Sequence, residues 1–202
     1  MSKIREILIT EREDGFYVQF DAMASACEVI IETSNRILAN KIGKEISTEV
    51  WRIEDKYSRY NHESLCSQIN QSNGKPIAID DETFALLNFA DTCYQLSDGV
   101  FDLTSGVLRK VWRFDCSDNI PSNKSIAKTM ENVGWQKVEY DDKKIILPKD
   151  MEIDFGGIGK EYAVDRSIIL INALTKQPVL VNLGGDLATN AARKNGEPWQ
   201  VG

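Results

Sequence analysis

The sequence is poor in histidine and carries no excess of basic residues. His62 is the only histidine, and a single histidine in a polar stretch is by default a solvated surface residue. The 24 lysines and arginines are outnumbered by 31 aspartates and glutamates, which gives a formal net charge of −7. An acidic surface binds the phosphate backbone poorly, so we expect no nucleic acid as a partner.

Long apolar runs and paired cysteines are also lacking. No segment could span a bilayer, and the charged first residues do not predict a signal peptide, so we expect no membrane insertion. The cysteines (Cys27, Cys66, Cys93 and Cys116) follow neither a metal-binding spacing nor a short disulfide framework. Reduced thiols are therefore expected, and with them a cytoplasmic location.

A chain of 202 residues with 42% hydrophobic content can build one sizeable core, so one domain is expected. The β-prone runs Tyr17–Phe20 and Cys27–Glu32 predict two paired strands. A long amphipathic helix is predicted next, because apolar residues recur at steps of three or four: Leu38, Ile42, Ile46, Val50, Ile53 and Tyr57.

The middle of the chain predicts alternating loops and short elements. A polar loop covers residues 58–74, and a helix capped at Asp80-Asp81 runs to Ser97. A shorter helix starts at Ser122 and ends at Glu131, and a hairpin turns at Asp141-Asp142.

The last third predicts a strand, Met151–Phe155, that leads through glycines into a helix. A further strand over residues 178–183 meets a second glycine pair at Gly184-Gly185, and Pro198–Gly202 looks like the start of another strand. A strand that ends in glycines before a helix presents bare N–H groups and suits a phosphate.

Neither common phosphate motif fits the glycine turn at residues 156–159. Tyr162 replaces the third glycine of the dinucleotide fingerprint, and Asp154 and Glu161 break the P-loop pattern. By local chemistry alone, a tight glycine turn is more often structural than phosphate-binding, so the turn gains meaning only from the segments around it.

Several separate segments together resemble the ApbE family of FAD:protein FMN transferases, in order and spacing, across nearly the whole chain. They are Met23-Ala24-Ser25, residues 57–60 (YSRY) with Glu63-Ser64 and Asn70, residues 99–106 (GVFDLTSG) with Trp112, residues 153–165 (IDFGGIGKEYAVD) and residues 181–186 (VNLGGD).

The resemblance implies an α+β fold related to the T-fold group, with a mixed sheet and flanking helices. It implies a single domain over residues 1–202 that is C-terminally incomplete relative to the family. The positions expected to line the flavin or adenine are Met23, Tyr60, Val100, Phe101 and Asp102. Asp154 and Lys160 are expected beside the nucleotide, and the Gly157 carbonyl is expected to bind Mg²⁺.

Each of these residues also has a structural alternative. Asp154 is equally well explained as a cap of the glycine turn, and Asp102 is first a helix cap. Phe101 could be core, whereas Tyr60 lies in a polar stretch with little to pack against. A lysine in the first turn of a helix opposes the helix dipole, which favours a functional role for Lys160.

The function implied by the resemblance is Mg²⁺-dependent transfer of FMN from FAD to a threonine or serine hydroxyl of a target flavoprotein. The family's later metal and histidine motifs have no counterpart in the sequence, so three hypotheses stay open. In the first hypothesis the chain is an enzyme that is completed by a second polypeptide or by a longer gene product. In the second it binds FAD, or hydrolyses it to FMN and AMP, without transfer. In the third it is an interaction module in which an unpaired strand edge recruits a partner strand.

Overall fold

A computed structural model describes residues 5–112 and 120–201; Cys116 lies outside the described residues. The chain forms two compact units, one made of Met1–Asp55 with Ile158–Gly202 and the other of Lys56–Gly157. Both combine helices with antiparallel strands, so the α+β class is confirmed. The single domain over residues 1–202 stays a prediction.

Helices and strands alternate irregularly along the chain. In chain order they are β1 (Leu8–Arg12), β2 (Gly15–Ala22), β3 (Ser25–Ile31), α1 (Arg36–Tyr57), α2 (Leu65–Asn70), β4 (Ile77–Ala78), α3 (Asp81–Leu96), α4 (Asn123–Met130), β5 (Glu139–Tyr140), β6 (Lys144–Ile146), α5 (Gly159–Leu174), β7 (Val179–Leu183) and β8 (Asp186–Thr189). Three 3₁₀ helices lie between them, at Leu103–Lys110, Trp135–Lys137 and Phe155–Gly157.

The first unit is built on an antiparallel five-stranded sheet in the order β1-β2-β3-β7-β8. The predicted strand pair is confirmed as β2 and β3, which are in register from Phe16–Ile31 to Ala22–Ser25. Alternate residues of β2 and β3 are buried because side chains of a strand point to opposite faces. One face of the sheet therefore forms the core of this unit.

The predicted long helix is confirmed as α1, and its stripe of Ile42, Ile46, Val50 and Ile53 is fully buried. The helix lies very close to β2: a Cβ atom at Gly43 would stand 2.9 Å from Val18 Cγ1. Only a residue without a side chain permits this approach. At Gly43, α1 therefore packs directly onto Val18 of β2.

The second unit has a three-stranded sheet in the order β4-β6-β5. The predicted helices are confirmed as α3, capped by Asp80, and α4, capped by Ser122. The hairpin predicted over Trp135–Tyr140 and Lys144–Leu147 is confirmed at β5 and β6, but its first residues, Trp135–Lys137, form a 3₁₀ helix instead of a strand. The polar loop over residues 58–74 also contains the short helix α2.

Two predicted strands are wrong. Residues 151–154 form no strand, because the Asn70 side chain takes the place of a neighbouring strand by bonding both the N–H and the C=O of Ile153. In the strand predicted over Pro198–Gly202, residues 198–201 are also irregular, and Gly202 lies outside the described residues. Pro198 has no N–H to donate, and the indole N–H of Trp199 donates to the Ala191 carbonyl at 2.9 Å. Within residues 5–112 and 120–201, none of the helices has the length and apolar character that crossing a membrane requires.

Candidate functional site

Met23 and Ala24 form the two-residue turn between β2 and β3, and both have positive φ, at +50° and +58°. Turns of this geometry favour Asn-Gly, because a left-handed backbone costs other residues roughly 1–2 kcal/mol each. The Met23 N–H, which lies outside the strand ladder, donates to Glu54 Oε1 at 2.9 Å. Met23 is therefore held in a strained position by a carboxylate of α1.

Gly184 and Gly185 form the equivalent turn between β7 and β8, with φ of +69° and +107°. The Gly185 N–H donates to Asn182 Oδ1 at 2.9 Å. A Cβ at Gly184 would stand only 2.5 Å from Ser25 Cβ, whereas one at Gly185 would meet nothing within 4 Å. The second glycine pair is thus a hairpin turn packed against the first residue of β3.

Lys160 lies in the first turn of α5 and reaches this glycine turn. Its Nζ would be 3.4 Å from a Cβ atom at Gly184. Ile158, at the N-cap of α5, provides no side-chain hydrogen bond to the first N–H groups of the helix. Lys160 is half-buried, and no carboxylate in residues 5–112 or 120–201 forms an ion pair with it.

In the second unit, Arg59 joins two of the predicted site residues. Its Nη1 forms an ion pair with Asp154 Oδ2 at 2.8 Å, and its Nη2 donates to the Tyr60 hydroxyl at 3.0 Å. The guanidinium carbon lies 5.1 Å from the centroid of the Tyr60 ring. Tyr60 is 76% exposed, so it presents an oriented aromatic face that is largely free of packing.

Asp154 is fixed from several sides. Its Oδ1 accepts from the Gly156 N–H at 3.0 Å, which confirms the capping interpretation, and its own N–H donates to the Leu103 carbonyl at 2.9 Å. Asn70 holds the preceding residue, Ile153, by two hydrogen bonds of 2.7 and 3.0 Å. The contact of Asp154 with a nucleotide stays a prediction.

Asp102 caps the 3₁₀ helix Leu103–Lys110, as expected. Its Oδ1 accepts from the N–H and the hydroxyl of Thr104, at 2.7 and 2.6 Å, and its Oδ2 accepts from the Trp135 N–H at 3.0 Å. Both carboxylate oxygens therefore have structural partners. A ligand contact by Asp102 stays a prediction.

Phe101 packs against Gly157: a Cβ at Gly157 would stand 3.0 Å from Phe101 Cε2. Phe101 is half-buried, so it is neither a fully buried core residue nor a fully exposed stacking surface. The neighbouring Val100 is 88% exposed. Contacts of Val100 and Phe101 with FAD stay predictions.

The described residues do not by themselves fit a magnesium site. Residues 5–112 and 120–201 bring no three His, Cys, Asp or Glu side chains together in a group that could hold a metal ion. Asp154, the carboxylate next to the Gly157 turn, is already bound to Arg59 and the Gly156 N–H. Mg²⁺ prefers six oxygen ligands that include carboxylates, so Gly157 as a ligand stays a prediction.

Two buried thiols lie close to these residues and are not nucleophiles. Burial raises the pKa of Cys27 to about 11, although Lys160 opposes the shift. Burial, followed by the charge of Asp154, raises the pKa of Cys66 to about 12. Both remain protonated at neutral pH, whereas a reactive cysteine requires the thiolate.

The predicted site residues thus fall into two groups. Met23 and Lys160 belong to the first unit, and the second unit holds the others: Tyr60, Val100, Phe101, Asp102, Asp154 and Gly157. His62 is exposed, as expected. Sequence reasoning misses Arg59, although it lies inside the quoted segment YSRY, and Glu54, which has no signal because it looks like any acidic residue of an amphipathic helix.

The comparisons with known proteins agree with the family resemblance. The model of the ApbE family matches residues 23–202. The FAD:protein FMN transferase of Chlamydia pneumoniae is 29% identical over 165 residues, which cover 79% of this chain and 52% of the relative. That of Chlamydia trachomatis is 30% identical over 165 residues, covering 78% and 51%. The chain thus spans about half the length of the curated relatives it matches.

Solved structures show the same fold. The apo flavinyl transferase ApbE of Pseudomonas stutzeri matches with a TM-score of 0.82 at 22% identity, over 100% of this chain and 67% of that one. The ApbE protein of Thermotoga maritima matches with a TM-score of 0.79 at 26% identity, over 96% and 61%. The family model covers nearly all of the sequence, and on this ground the chain belongs to the ApbE family.

Proposed function

We propose that the chain binds FAD and acts in an FAD:protein FMN transferase, which passes FMN from FAD to a threonine or serine hydroxyl of a target flavoprotein. The observation that carries the proposal is the environment of Lys160. A half-buried ammonium group without a carboxylate partner among the described residues lies beside the Gly184–Gly185 turn at the uncapped start of α5.

This environment suits a phosphate for three physical reasons. The positive end of the helix dipole and the free N–H groups of the first turn attract an anion. A partly desolvated lysine gains more from an anionic ligand than from bulk water. Glycines at the turn let the ligand approach the backbone, and Gly185 in particular has open space on its Cα.

Taken by itself, the second unit has an aromatic surface suited to a flat ring, the side chain of Tyr60. Arg59 orients the Tyr60 ring and is itself fixed by Asp154, so the ring is held although it is exposed. An isoalloxazine or adenine ring stacked on such a face gains apolar contact with little loss of side-chain entropy.

The proposed reaction is a phosphoryl transfer. The acceptor hydroxyl attacks the phosphorus of the FMN half, a new P–O bond forms, the pyrophosphate P–O bond breaks, the hydroxyl proton is released and AMP leaves. When bound, Mg²⁺ neutralises the charge of the phosphates in such transfers. We assign no step to a metal, because the described residues do not complete its site. Lys160 would bind the phosphates and keep them in place.

A binding experiment tests the role of Lys160. Titration of the chain with FAD, FMN and riboflavin, followed by flavin fluorescence, should show tight binding of FAD by the unchanged protein. Lys160→Met should weaken FAD binding about tenfold, which corresponds to about 1.4 kcal/mol. It should leave riboflavin binding unchanged, because riboflavin has no phosphate. Lys41→Met, an exposed lysine on α1, is the matched control and should change neither.

A second experiment tests the transfer itself. The chain is incubated with FAD, Mg²⁺ and a threonine-containing acceptor protein, alone and with the part of a solved family member that the chain does not match added as a separate polypeptide. Mass spectrometry should find the acceptor heavier by one FMN group. Release of FMN and AMP without added mass would identify a hydrolase instead, and no reaction in either mixture would refute the transferase proposal.

A further inference from the structure

The turn between β2 and β3 has a geometry that its own residues disfavour. The ladder closes at the pair Ala22 and Ser25, so Met23 and Ala24 occupy the two central positions with φ of +50° and +58°. Neither residue is glycine or asparagine, which such turns normally require. The conformation must therefore be imposed by contacts from outside the turn.

The contact on this turn comes from the last turns of α1. Glu54 Oε1 accepts from the Met23 N–H at 2.9 Å, and the Glu54 side chain is only 17% exposed. One turn earlier, the Trp51 indole donates to the Asp21 carbonyl at 2.9 Å. The helix thus binds the backbone at the end of β2 and within the turn.

Glu54 is itself held in place by charge. Its Oε2 lies 3.6 Å from Arg5 Nη2, and the same guanidinium forms two bonds to Asp55, at 2.8 and 2.5 Å. A hydrogen bond from a backbone N–H to a partly buried carboxylate is stronger than one to a neutral acceptor. This bond offsets part of the strain of the left-handed turn.

We infer that Glu54 is a positioning residue: its carboxylate holds the Met23–Ala24 turn left-handed and so fixes Met23 for FAD. The role of Met23 rests on the proposed function and on the predicted contact of Met23 with FAD, whereas the hold on the turn rests on neither. The inference assigns Glu54 no contact with FAD.

The hold on the turn is tested by hydrogen exchange followed by mass spectrometry on a peptide that covers residues 21–26. Glu54→Ala should speed exchange in this peptide at least tenfold, and peptides from β7 and β8 should not change. Glu54→Gln should speed exchange less than Glu54→Ala, because its amide oxygen still accepts from the Met23 N–H, although the stronger bond to a carboxylate and the ion pair with Arg5 are lost. Unchanged exchange in Glu54→Ala would overturn the inference.

The double variant Glu54→Ala/Ala24→Gly separates the turn from general stability. Glycine adopts the left-handed conformation without strain, so it should restore slow exchange in residues 21–26 and FAD binding to within about threefold of the unchanged protein. Glu54→Ala alone should weaken FAD binding about tenfold. Glu49→Ala is the matched control: it removes another carboxylate of α1, one that pairs with Arg52 of the same helix and Arg166 of α5, and it should leave both readouts unchanged.

The two arms distinguish the possible failures. Fast exchange in Glu54→Ala with unchanged FAD affinity overturns the positioning of Met23, and failure of Ala24→Gly to rescue overturns the strain argument. If the unchanged protein does not bind FAD, the proposed function fails. Hydrogen exchange of residues 21–26 then still decides whether Glu54 holds the turn.

Discussion

The two glycines of the β7–β8 turn offer a matched pair of substitutions. Gly184→Ala and Gly185→Ala place the same methyl group on adjacent residues that both have positive φ, at +69° and +107°. Their surroundings differ. A Cβ at Gly184 would stand 2.5 Å from Ser25 Cβ and 2.6 Å from Ser25 Oγ, whereas a Cβ at Gly185 meets nothing within 4 Å.

The expected magnitudes follow from this difference. Alanine in a left-handed backbone destabilises the folded state by roughly 1–2 kcal/mol. Alanine also lowers the conformational entropy of the unfolded chain, which offsets about 0.5–1 kcal/mol of this loss. Gly185→Ala should therefore reduce the free energy of unfolding by about 1 kcal/mol. Gly184→Ala adds an overpacking cost of about 1–3 kcal/mol against Ser25, for a total loss of about 2–4 kcal/mol.

Urea unfolding followed by far-UV circular dichroism measures both variants, and equal slopes are needed for the midpoints to be compared. Gly184→Ala with Ser25→Gly removes the opposing side chain and should recover the overpacking part of the loss. The reasoning is refuted if Gly185→Ala proves as destabilising as Gly184→Ala, or if the Ser25 substitution recovers nothing.

Two further predictions concern ionisable groups. Burial opposes the ionisation of Asp80, but the hydrogen bonds from Lys56 and Thr83 and the charge of Lys56 together outweigh it, so the pKa of Asp80 is lowered. We expect Asp80→Asn to lose about 0.5–1 kcal/mol at neutral pH, because asparagine still caps α3 but carries no charge. This stabilisation is present above the usual carboxylate pKa of about 3.9 and is lost as the pH falls below it, so unfolding curves of the two proteins should converge in acid. Burial raises the pKa of Cys27 to about 11 and that of Cys66 to about 12, so both thiols should resist iodoacetamide at pH 8 until the protein unfolds. The half-buried Cys93 should be modified before either of them. Peptide mapping that finds Cys27 or Cys66 alkylated in the folded protein would contradict this.

The sequence predicts much of the fold because the signals are local. The stripe of α1 needs only the helical period, and the caps Asp80 and Ser122 need only the residues that follow them. The strand at residues 151–155 is wrong for the same reason. Apolar Met151, Ile153 and Phe155 alternate with acidic residues, which gives a strand pattern. The hydrogen-bond partner of Ile153, however, is a side chain distant in sequence, Asn70.

The site residues divide in the same way. Glycine turns and the capping carboxylates Asp102 and Asp154 are visible in the sequence, because a cap bonds residues two positions away. Arg59 and Glu54 are not, because each acts on a group far along the chain: Arg59 pairs with Asp154, and Glu54 bonds the Met23 N–H.

The sequence by itself determined the α+β class, the long helix and the family, since these rest on periodicity and on the order of short segments. Only the tertiary structure decided how the glycine turn at Gly184 and Gly185 is used. Whether a glycine is needed there depends on the distance to Ser25, and the role that we propose for Lys160 rests on the absence of a carboxylate ion-pair partner among the residues described. Both are properties of groups brought together by folding, which no local pattern contains.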